Sequence, residues 1–359
     1  MTARFRVIDT GLRQGRANIA FDQAMIEAHK AGHIPDTIRF LRFPPTALVG
    51  RHQALGREVR LDYCRRRGIG VARRITGGGA IYFDPGQLGW ELVFRRAALG
   101  PTGLADLARI ICEAAASGLG RLGVAARYRP RNDIEVDGRK LCGTGGFFDG
   151  DTLFYQGTLL IDTDPADMVA ALKVPREKLA KRGLDSAERR VVSLKDLLGD
   201  RLPGLPAIRD ALLAGLAEGL GIEPVAGDIT EAEEALARKL HDQEIGTDAF
   251  VAEIDEPGGG DDTLSASHTG AGGTITVSVR LEGPAKDRVR EVLITGDFFV
   301  APPRTVFDLE ASLRGVRLKD LGAAVDSFFA DTPVDLLSAA PADFRAALEA
   351  AAGLGDTAP

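Results

Sequence analysis

Short apolar runs recur through the first hundred residues of the chain, and one of them alternates with polar residues. Successive side chains of a strand point to opposite faces of a sheet, so the alternation over residues 37–43 predicts a half-buried strand, while the other runs predict strands by their apolar character. An amphipathic helix precedes them, because residues 18–30 place apolar side chains three and four positions apart. The predicted strands are residues 37–43, 46–50, 69–73, 80–83 and 89–94, with a helix at 60–67 between the second and the third.

The middle of the chain shows helical periodicity and one sequence signal for a β-hairpin. Residues 104–122 repeat apolar side chains at i, i+3, i+4 and i+7 and predict a long helix. The pair Asp137-Gly138 lies between two apolar stretches, and Asp-Gly suits the positive φ angles of a two-residue hairpin turn. The predicted elements of this region are the hairpin strands 133–136 and 140–142, a strand at 158–161 and helices at 165–172, 207–220 and 231–241.

The composition changes near residue 256. Residues 256–273 are rich in Gly, Asp and Ser, which is typical of a flexible linker. Beyond them, alternation predicts strands at 274–281 and 289–295, and helical spacing predicts helices at 305–313 and 318–329. We therefore predict an α/β domain over residues 1–255 with a mixed sheet flanked by helices, a linker over 256–273, and a small α+β domain over 274–359.

Charge and cysteine content narrow the function classes. The 359 residues carry a formal charge of −6, which argues against a general nucleic-acid binder. The three cysteines are widely spaced, so neither a disulfide framework nor a zinc site is indicated. No apolar run has the length of a membrane span and the first residues lack a signal-peptide core, so we expect a cytoplasmic protein without a membrane partner.

Three consecutive glycines follow two arginines in the sequence Arg73-Arg74-Ile75-Thr76-Gly77-Gly78-Gly79. Glycine loses more backbone freedom on folding than any other residue, so three together indicate a positive φ or a close approach to the backbone. Guanidinium groups bind carboxylates and phosphates through two parallel hydrogen bonds. The segment therefore predicts a site for an anionic ligand that lies against bare peptide groups.

Three segments of the chain together resemble the lipoate–protein ligase family of the biotin and lipoate protein ligase superfamily. The stretch 73–84 matches the family's Arg-Arg-x-Ser/Thr-Gly-Gly-Gly-Ala motif. Residues 132–143 match its Asn-Asp and Gly-x-Lys-x-x-Gly motifs, and residues 157–160 match its Gly-Thr-Leu-Leu strand. The resemblance covers about residues 15–245, and the C-terminal residues more loosely resemble the accessory domain of two-domain ligases.

The resemblance implies an enzyme that uses ATP and Mg²⁺ to convert lipoic acid to lipoyl-AMP and then passes the lipoyl group to a lysine of a carrier protein. Lys140 would be the catalytic cation, and Asp133 would also bind Mg²⁺. The expected acceptors are lipoyl domains of 2-oxo-acid dehydrogenases, the glycine-cleavage carrier or specialised lipoate-binding carriers of sulfur metabolism. The residues expected to bind substrate or adenylate are Arg74, Gly77, Gly78, Gly79, Ile81, Asn132, Asp133, Thr144, Gly157, Thr158 and Lys181.

Four positions differ from the family pattern, and two alternative functions stay open. Phe83 and Gln156 stand where the family often has histidine, and Thr144 and Gly145 replace the usual Ser-Ala or Asn-Ala after Gly143. One alternative is an octanoyl- or lipoyl-transferase of the same superfamily. Transferases of this kind that work covalently have a cysteine before the Asn-Asp motif, and residues 125–131 contain none. The other alternative is a non-catalytic module that binds lipoyl carriers.

Overall fold

A mixed eight-stranded β-sheet forms the centre of the larger of two units in this computed structural model of the protein. The structure describes residues 2–100, 103–130, 132–163, 165–173, 191–256, 263–270, 272–337 and 339–353. The larger unit comprises Met1–Val49, Glu58–Arg74 and Ala80–Val251, and the smaller one comprises Gly50–Arg57, Ile75–Gly79 and Ala252–Pro359. The strands are β1 Ala3–Leu12, β2 Thr37–Arg42, β3 Thr46–Val49, β4 Gly70–Arg73, β5 Ile81–Phe83, β6 Gln87–Arg95, β7 Arg127–Arg129, β8 Asp133–Val136, β9 Arg139–Asp149, β10 Thr152–Leu160, β11 Ile222–Ala226, β12 Thr263–Gly270, β13 Gly273–Glu282, β14 Arg288–Gly296, β15 Val300–Ala301 and β16 Asp335–Leu336.

The order of strands in the large sheet is β11-β1-β2-β6-β10-β9-β8-β7. The first three are parallel and the remaining pairs are antiparallel, which confirms the predicted mixed sheet. A second sheet of the same unit has the order β4-β3-β5. The strand β1 was not predicted, although residues 3–7 alternate between apolar and charged side chains, and it pairs in parallel with β2 and β11.

Helices cover both faces of the large sheet. The long helix predicted over 104–122 is α4, and it packs against Leu205–Leu220 on one face, while α1 packs against Glu231–Leu240 on the other. Among the described residues, no helix combines the length and the apolar character needed to span a membrane. The α-helices are α1 Gly15–Lys30, α2 Leu55–Glu58, α3 Leu61–Arg67, α4 Leu104–Gly120, α5 Pro165–Ala171, and then Leu194–Leu198, Leu205–Leu220, Glu231–Leu240, Asp248–Val251, Thr305–Ser312, Leu321–Asp331 and Pro341–Ala351.

The hairpin predicted from Asp137-Gly138 joins β8 to β9. Both turn residues have positive φ, 50° at Asp137 and 77° at Gly138, as a type I′ turn requires. The second strand is much longer than predicted, since β9 continues through Gly143-Thr144-Gly145-Gly146. Glycine-rich sequence has low strand propensity, so only pairing on both sides, with β8 and β10, keeps this stretch extended.

The smaller unit contains the three-stranded antiparallel sheet β12-β13-β14. Its inner face carries Ile275, Val277 and Val279, which pack with apolar residues of the helices Leu321–Asp331 and Pro341–Ala351. The predicted linker of residues 256–273 differs from the structure, because Thr263–Gly270 is the strand β12. Six residues of that linker, 257–262, and residue 271 lie outside the described part of the chain. Ser and Thr recur on one face of β12, and this alternation was obscured by the polar composition.

Two segments from the N-terminal half belong to the smaller unit, a division that the predicted boundary at residue 255 did not include. Residues 50–57 and 75–79 are these segments. The His52 ring stacks on Phe298 with 5.3 Å between centroids, and Gly296 N donates a hydrogen bond to His52 O at 3.0 Å. The triglycine is therefore part of the unit formed mostly by the C-terminal residues.

Candidate functional site

Lys140 lies at the start of β9, with its side chain above the backbone of Gly143. A Cβ atom at position 143 would come within 2.6 Å of both Cε and Nζ of Lys140, so glycine provides the space for this side chain. Asp133 is directly opposite Gly143 in the β8–β9 pair, and its Oδ1 is 2.8 Å from Lys140 Nζ. The turn at 137–138 thus brings the Asn-Asp motif and the motif lysine together.

A partly exposed strip lies beside Lys140 on the same face of the central strands. Thr158 is directly opposite Gly143, and Gln156 is directly opposite Gly145, two residues further along. Gly143, Gln156 and Thr158 are half-buried, whereas the residues that alternate with them are buried. We call Gly143, Gln156 and Thr158 the open face.

Two predicted site residues point away from the open face. Thr144 Oγ1 donates to Asn132 O at 2.9 Å and lies 2.6 Å from the buried Tyr155 hydroxyl. A Cβ atom at Gly157 would come within 2.2 Å of the Trp90 ring, which is fully buried. Thr144 and Gly157 therefore have packing and hydrogen-bonding roles inside the unit, because the pleat turns them to the α4 side.

Asn132 joins the loop before β8 to β9. Its side-chain Nδ2 donates to Thr144 O at 2.6 Å, and its own carbonyl accepts from Thr144 N at 2.8 Å. These bonds fix the loop that carries Asp133. The predicted contact of Asn132 with a nucleotide stays a prediction.

The Asp133 carboxylate has a cationic partner at each oxygen. Lys140 approaches Oδ1, and the Arg129 guanidinium on β7 donates to Oδ2. Burial by itself would raise the pKa of Asp133, but Lys140 and Arg129 outweigh it and hold that pKa below its ordinary value. Among the described residues, no group of three or more His, Cys, Asp or Glu side chains could hold a metal ion. Ligation of Mg²⁺ by Asp133 stays a prediction.

The two motif arginines are buried, with different partners. Arg73 donates from Nε and Nη2 to Val251 O at 3.1 and 2.9 Å and thereby caps the helix Asp248–Val251. Arg74 donates from Nη1 to Leu48 O at 3.4 Å, and burial lowers its pKa to about 10. Ile81 begins β5 opposite Leu48 in the same small sheet. The Arg73 hydrogen bonds join β4 to the end of the helix Asp248–Val251.

C-terminal residues of the same unit lie close to the triglycine. A Cβ atom at Gly77 would meet Phe298 O at 2.2 Å, and one at Gly78 would meet the Phe299 ring at 2.6 Å. Gly78 has a φ of 90°, and its N donates to Phe298 O at 3.0 Å. Gly79 faces Asp297 at a distance of 3.6 Å from its would-be Cβ. The close approach inferred from the sequence exists, and here protein atoms make it.

The segment 174–190, which contains Lys181, expected to bind substrate or adenylate, lies outside the described residues. The residues on either side of it are held in place. Lys173 N donates to Glu58 O at 2.7 Å, and Val192 N donates to Lys140 O at 2.9 Å. The chain that follows residue 190 therefore returns beside the candidate catalytic lysine.

Phe83, which stands where the family often has histidine, is a core residue. Its ring stacks on Phe43 with a centroid distance of 4.3 Å, and only 5% of the residue is exposed. Gln156 is on the open face and is directly opposite Glu91 of β6. Phe83 thus replaces the usual histidine within the core, whereas Gln156 replaces it on the open face.

The sequence-based expectations missed Gly143, Gln156 and Arg129 as members of the site. Gly143 and Gln156 could have been found from the period of two, once the pairing of β9 with β10 was known. Arg129 has no signal in the sequence, because its pairing with Asp133 depends on the short edge strand β7.

Comparison with protein families identifies relatives over the larger part of the chain. The family described as lipoyl protein ligase A/B catalytic domain matches residues 14–217. Lipoate-protein ligase A subunit 1 of Thermoplasma acidophilum is 31% identical over 245 residues, 66% of this chain and 91% of that protein. Octanoyltransferase LipM of Symbiobacterium thermophilum is 31% identical over 271 residues, 69% of this chain and 98% of that protein.

Solved structures show the same fold. The ligase of a bipartite lipoylation system of Thermoplasma acidophilum, studied with its E2 lipoyl domain, has a TM-score of 0.61 at 28% identity, covering 72% of this chain and all of that one. A lipoate-protein ligase A bound with ATP has a TM-score of 0.62 at 28% identity, covering 70% and 99%. A Thermoplasma acidophilum protein with bound lipoic acid has a TM-score of 0.58 at 27% identity, covering 70% and 100%.

Proposed function

The chain belongs to the lipoyl protein ligase A/B catalytic-domain family, and from that premise we propose that it is an ATP-dependent lipoate–protein ligase. It would convert lipoate and ATP to lipoyl-AMP and pyrophosphate, and then transfer the lipoyl group to a lysine of a carrier protein. Its relatives include both ligases and octanoyltransferases, so membership alone makes it an enzyme without selecting the acyl donor.

The burial of the cysteines is the observation that favours the ligase over the transferase. Covalent acyl transfer needs an accessible thiolate, whose formation a depressed pKa assists. Cys64, Cys112 and Cys142 are all the cysteines of the chain, and each is buried. Burial raises the thiol pKa of each one. A cysteine transferase mechanism therefore has no suitable nucleophile, whereas adenylation needs none.

Lys140 supplies the charge that adenylation requires. Joining a carboxylate to an α-phosphate brings two anions together, and a fixed cation at that point stabilises the transition state. The carboxylate oxygen of lipoate would attack the α-phosphorus, and pyrophosphate would leave with the electrons of the broken bond. Lys140 Nζ, with 37% of its side chain exposed, can reach both groups, and the open face can hold the acyl chain.

Substrates and partners follow from the same proposal. ATP and lipoic acid are the ligands of related solved structures, and an E2 lipoyl domain accompanies one of them. Mg²⁺ would enter with the phosphates of ATP, because it usually keeps several waters and binds substrate oxygens with one or two carboxylates. The acceptor would be a lipoyl domain, a glycine-cleavage carrier or a specialised lipoate-binding carrier.

Pyrophosphate release separates the functions. We expect release with ATP, Mg²⁺ and free lipoate, and lipoylation when a carrier is added. The activity should persist after treatment of the native protein with iodoacetamide, and Lys140→Ala should abolish it without lowering the melting temperature. Arg139→Ala is the matched control, because this neighbouring residue is a cation of the same hairpin. Transfer from an octanoylated carrier without ATP, sensitive to iodoacetamide, would instead identify a transferase, and absence of both reactions a binding protein.

A further inference from the structure

Five charged side chains alternate in sign across the three strands that end at Lys140. Arg127 and Arg129 are on the edge strand β7, Asp133 and Glu135 are on β8, and Lys140 is on β9. Arg127 Nη2 is 3.0 Å from Glu135 Oε1, and Arg129 Nε is 3.6 Å from Glu135 Oε2. Arg129 also pairs with Asp133, whose other oxygen is 2.8 Å from Lys140 Nζ. We call these five residues the charge ladder.

The two carboxylates of the ladder are the members removed from water. Only 13% of the Asp133 side chain and 7% of the Glu135 side chain are exposed. An uncompensated charge in such surroundings is strongly unfavourable, because the lost hydration has no replacement. Each carboxylate therefore needs a cation at all times, including the moment when substrate is bound.

The Asp133 carboxylate has one more cation than it needs. Arg129 pairs with one of its oxygens, so the Lys140 ammonium can turn to an anionic substrate without leaving Asp133 unpaired. Without Arg129, Lys140 would be the one ladder cation left beside Asp133, because Arg127 pairs with Glu135. Moving Lys140 to a substrate would then leave Asp133 without a cation, whereas loss of Arg127 leaves Arg129 in contact with both carboxylates.

We propose that Arg129 is a positioning residue that makes Lys140 available to the reacting carboxylate and phosphate by taking over the charge of Asp133. This inference rests on the proposed function and concerns the same site. Asp133 positions the Lys140 ammonium over Gly143. Arg129 weakens the Asp133–Lys140 ion pair, so Lys140 can leave Asp133 and bind the substrate. Arg129 touches no reacting atom, and its effect passes through Asp133.

The test is a set of variants at position 129 with a matched control on the same strand. Arg129→Ala and Arg129→Gln should each lower kcat for pyrophosphate release about tenfold, within the range of coupling between neighbouring charges. Arg129→Lys should restore kcat to within about twofold, because it keeps the charge. Arg127→Ala is the control: it removes an exposed cation that pairs with Glu135, and kcat should stay within about twofold.

Asp133→Asn provides the second measurement. In that background the substitution Arg129→Ala should have no further effect on kcat, since there is no charge left to compensate. Melting temperatures of all variants should stay close to the wild-type value. Restoration by Arg129→Gln would assign a hydrogen-bonding role and overturn the inference, as would equal losses from Arg127→Ala and Arg129→Ala.

The experiment distinguishes an error in the proposed function from an error in the role of Arg129. A wild-type chain that releases no pyrophosphate but transfers octanoate between carriers is not a ligase, and the variants are then compared in the transfer reaction. Lys140 would still stabilise the developing oxyanion there, so the same order of variants is expected. A different order in whichever reaction the wild-type chain performs would refute the role of Arg129.

Discussion

Gly143→Ala should uncouple the stability of this protein from its activity. Gly143 does not have a positive φ, so alanine fits the backbone and gains about 0.4–1 kcal/mol by restricting the unfolded chain. The new Cβ would meet the Lys140 ammonium at 2.6 Å, whereas ordinary van der Waals contact begins at 3.4 Å. The ammonium must therefore move by about 1 Å, and a displacement of that size can lower a rate about 100-fold.

Thermal melting and pyrophosphate release measure the two effects of this substitution. The partly exposed Lys140–Asp133 ion pair contributes at most about 1 kcal/mol, so the melting temperature should stay equal or rise slightly. Gly146→Ala, on the same strand, is the contrasting variant, because its Cβ would lie 2.3 Å from Phe154 O and should destabilise the fold. Near wild-type turnover of Gly143→Ala would refute the placement of Lys140 as the catalytic cation above this glycine.

Three further predictions follow from buried groups. Gly157→Ala should cost about 1–3 kcal/mol, because its Cβ would lie 2.2 Å from the Trp90 ring; an unchanged denaturation midpoint would contradict this packing. Arg39→Leu should lower the free energy of unfolding by about 3–5 kcal/mol in the same assay, because the buried guanidinium pairs with the buried carboxylates of Asp22 and Glu91. A loss below about 1 kcal/mol would contradict the importance of these ion pairs for stability. Burial raises the pKa of Glu310 to about 7. The folded state therefore binds the proton of Glu310 more tightly than the unfolded state does, which adds about 3 kcal/mol to the free energy of unfolding at acid pH. This contribution is lost as the pH rises through 7. Melting curves from pH 5 to 8 should show the loss in the wild type and not in Glu310→Gln.

Local chemistry made much of the site predictable. The hairpin depends on two residues that tolerate positive φ, so Asp137-Gly138 specified the turn and brought the Asn-Asp motif beside Lys140. The helix α4 was predicted because its apolar stripe is continuous over several turns. These features depend on neighbours within a few positions of the chain.

Contacts between residues that are distant in the chain decided which face of the sheet each candidate residue occupies. Gly157 matches a family motif and Thr144 departs from one, yet the register of β9 and β10 turns both to α4 and Trp90 and leaves Gly143, Gln156 and Thr158 on the open face.

The sequence by itself determined that two arginines precede three glycines and that an Asp-Gly turn precedes Lys140, since these residue types match the family's motifs in order. The tertiary structure alone decided that Phe298 and Phe299 lie against the triglycine and that Arg129 pairs with Asp133. The physical reason is that packing and ion pairing depend on which strands become neighbours. That choice is made by the whole core rather than by any segment.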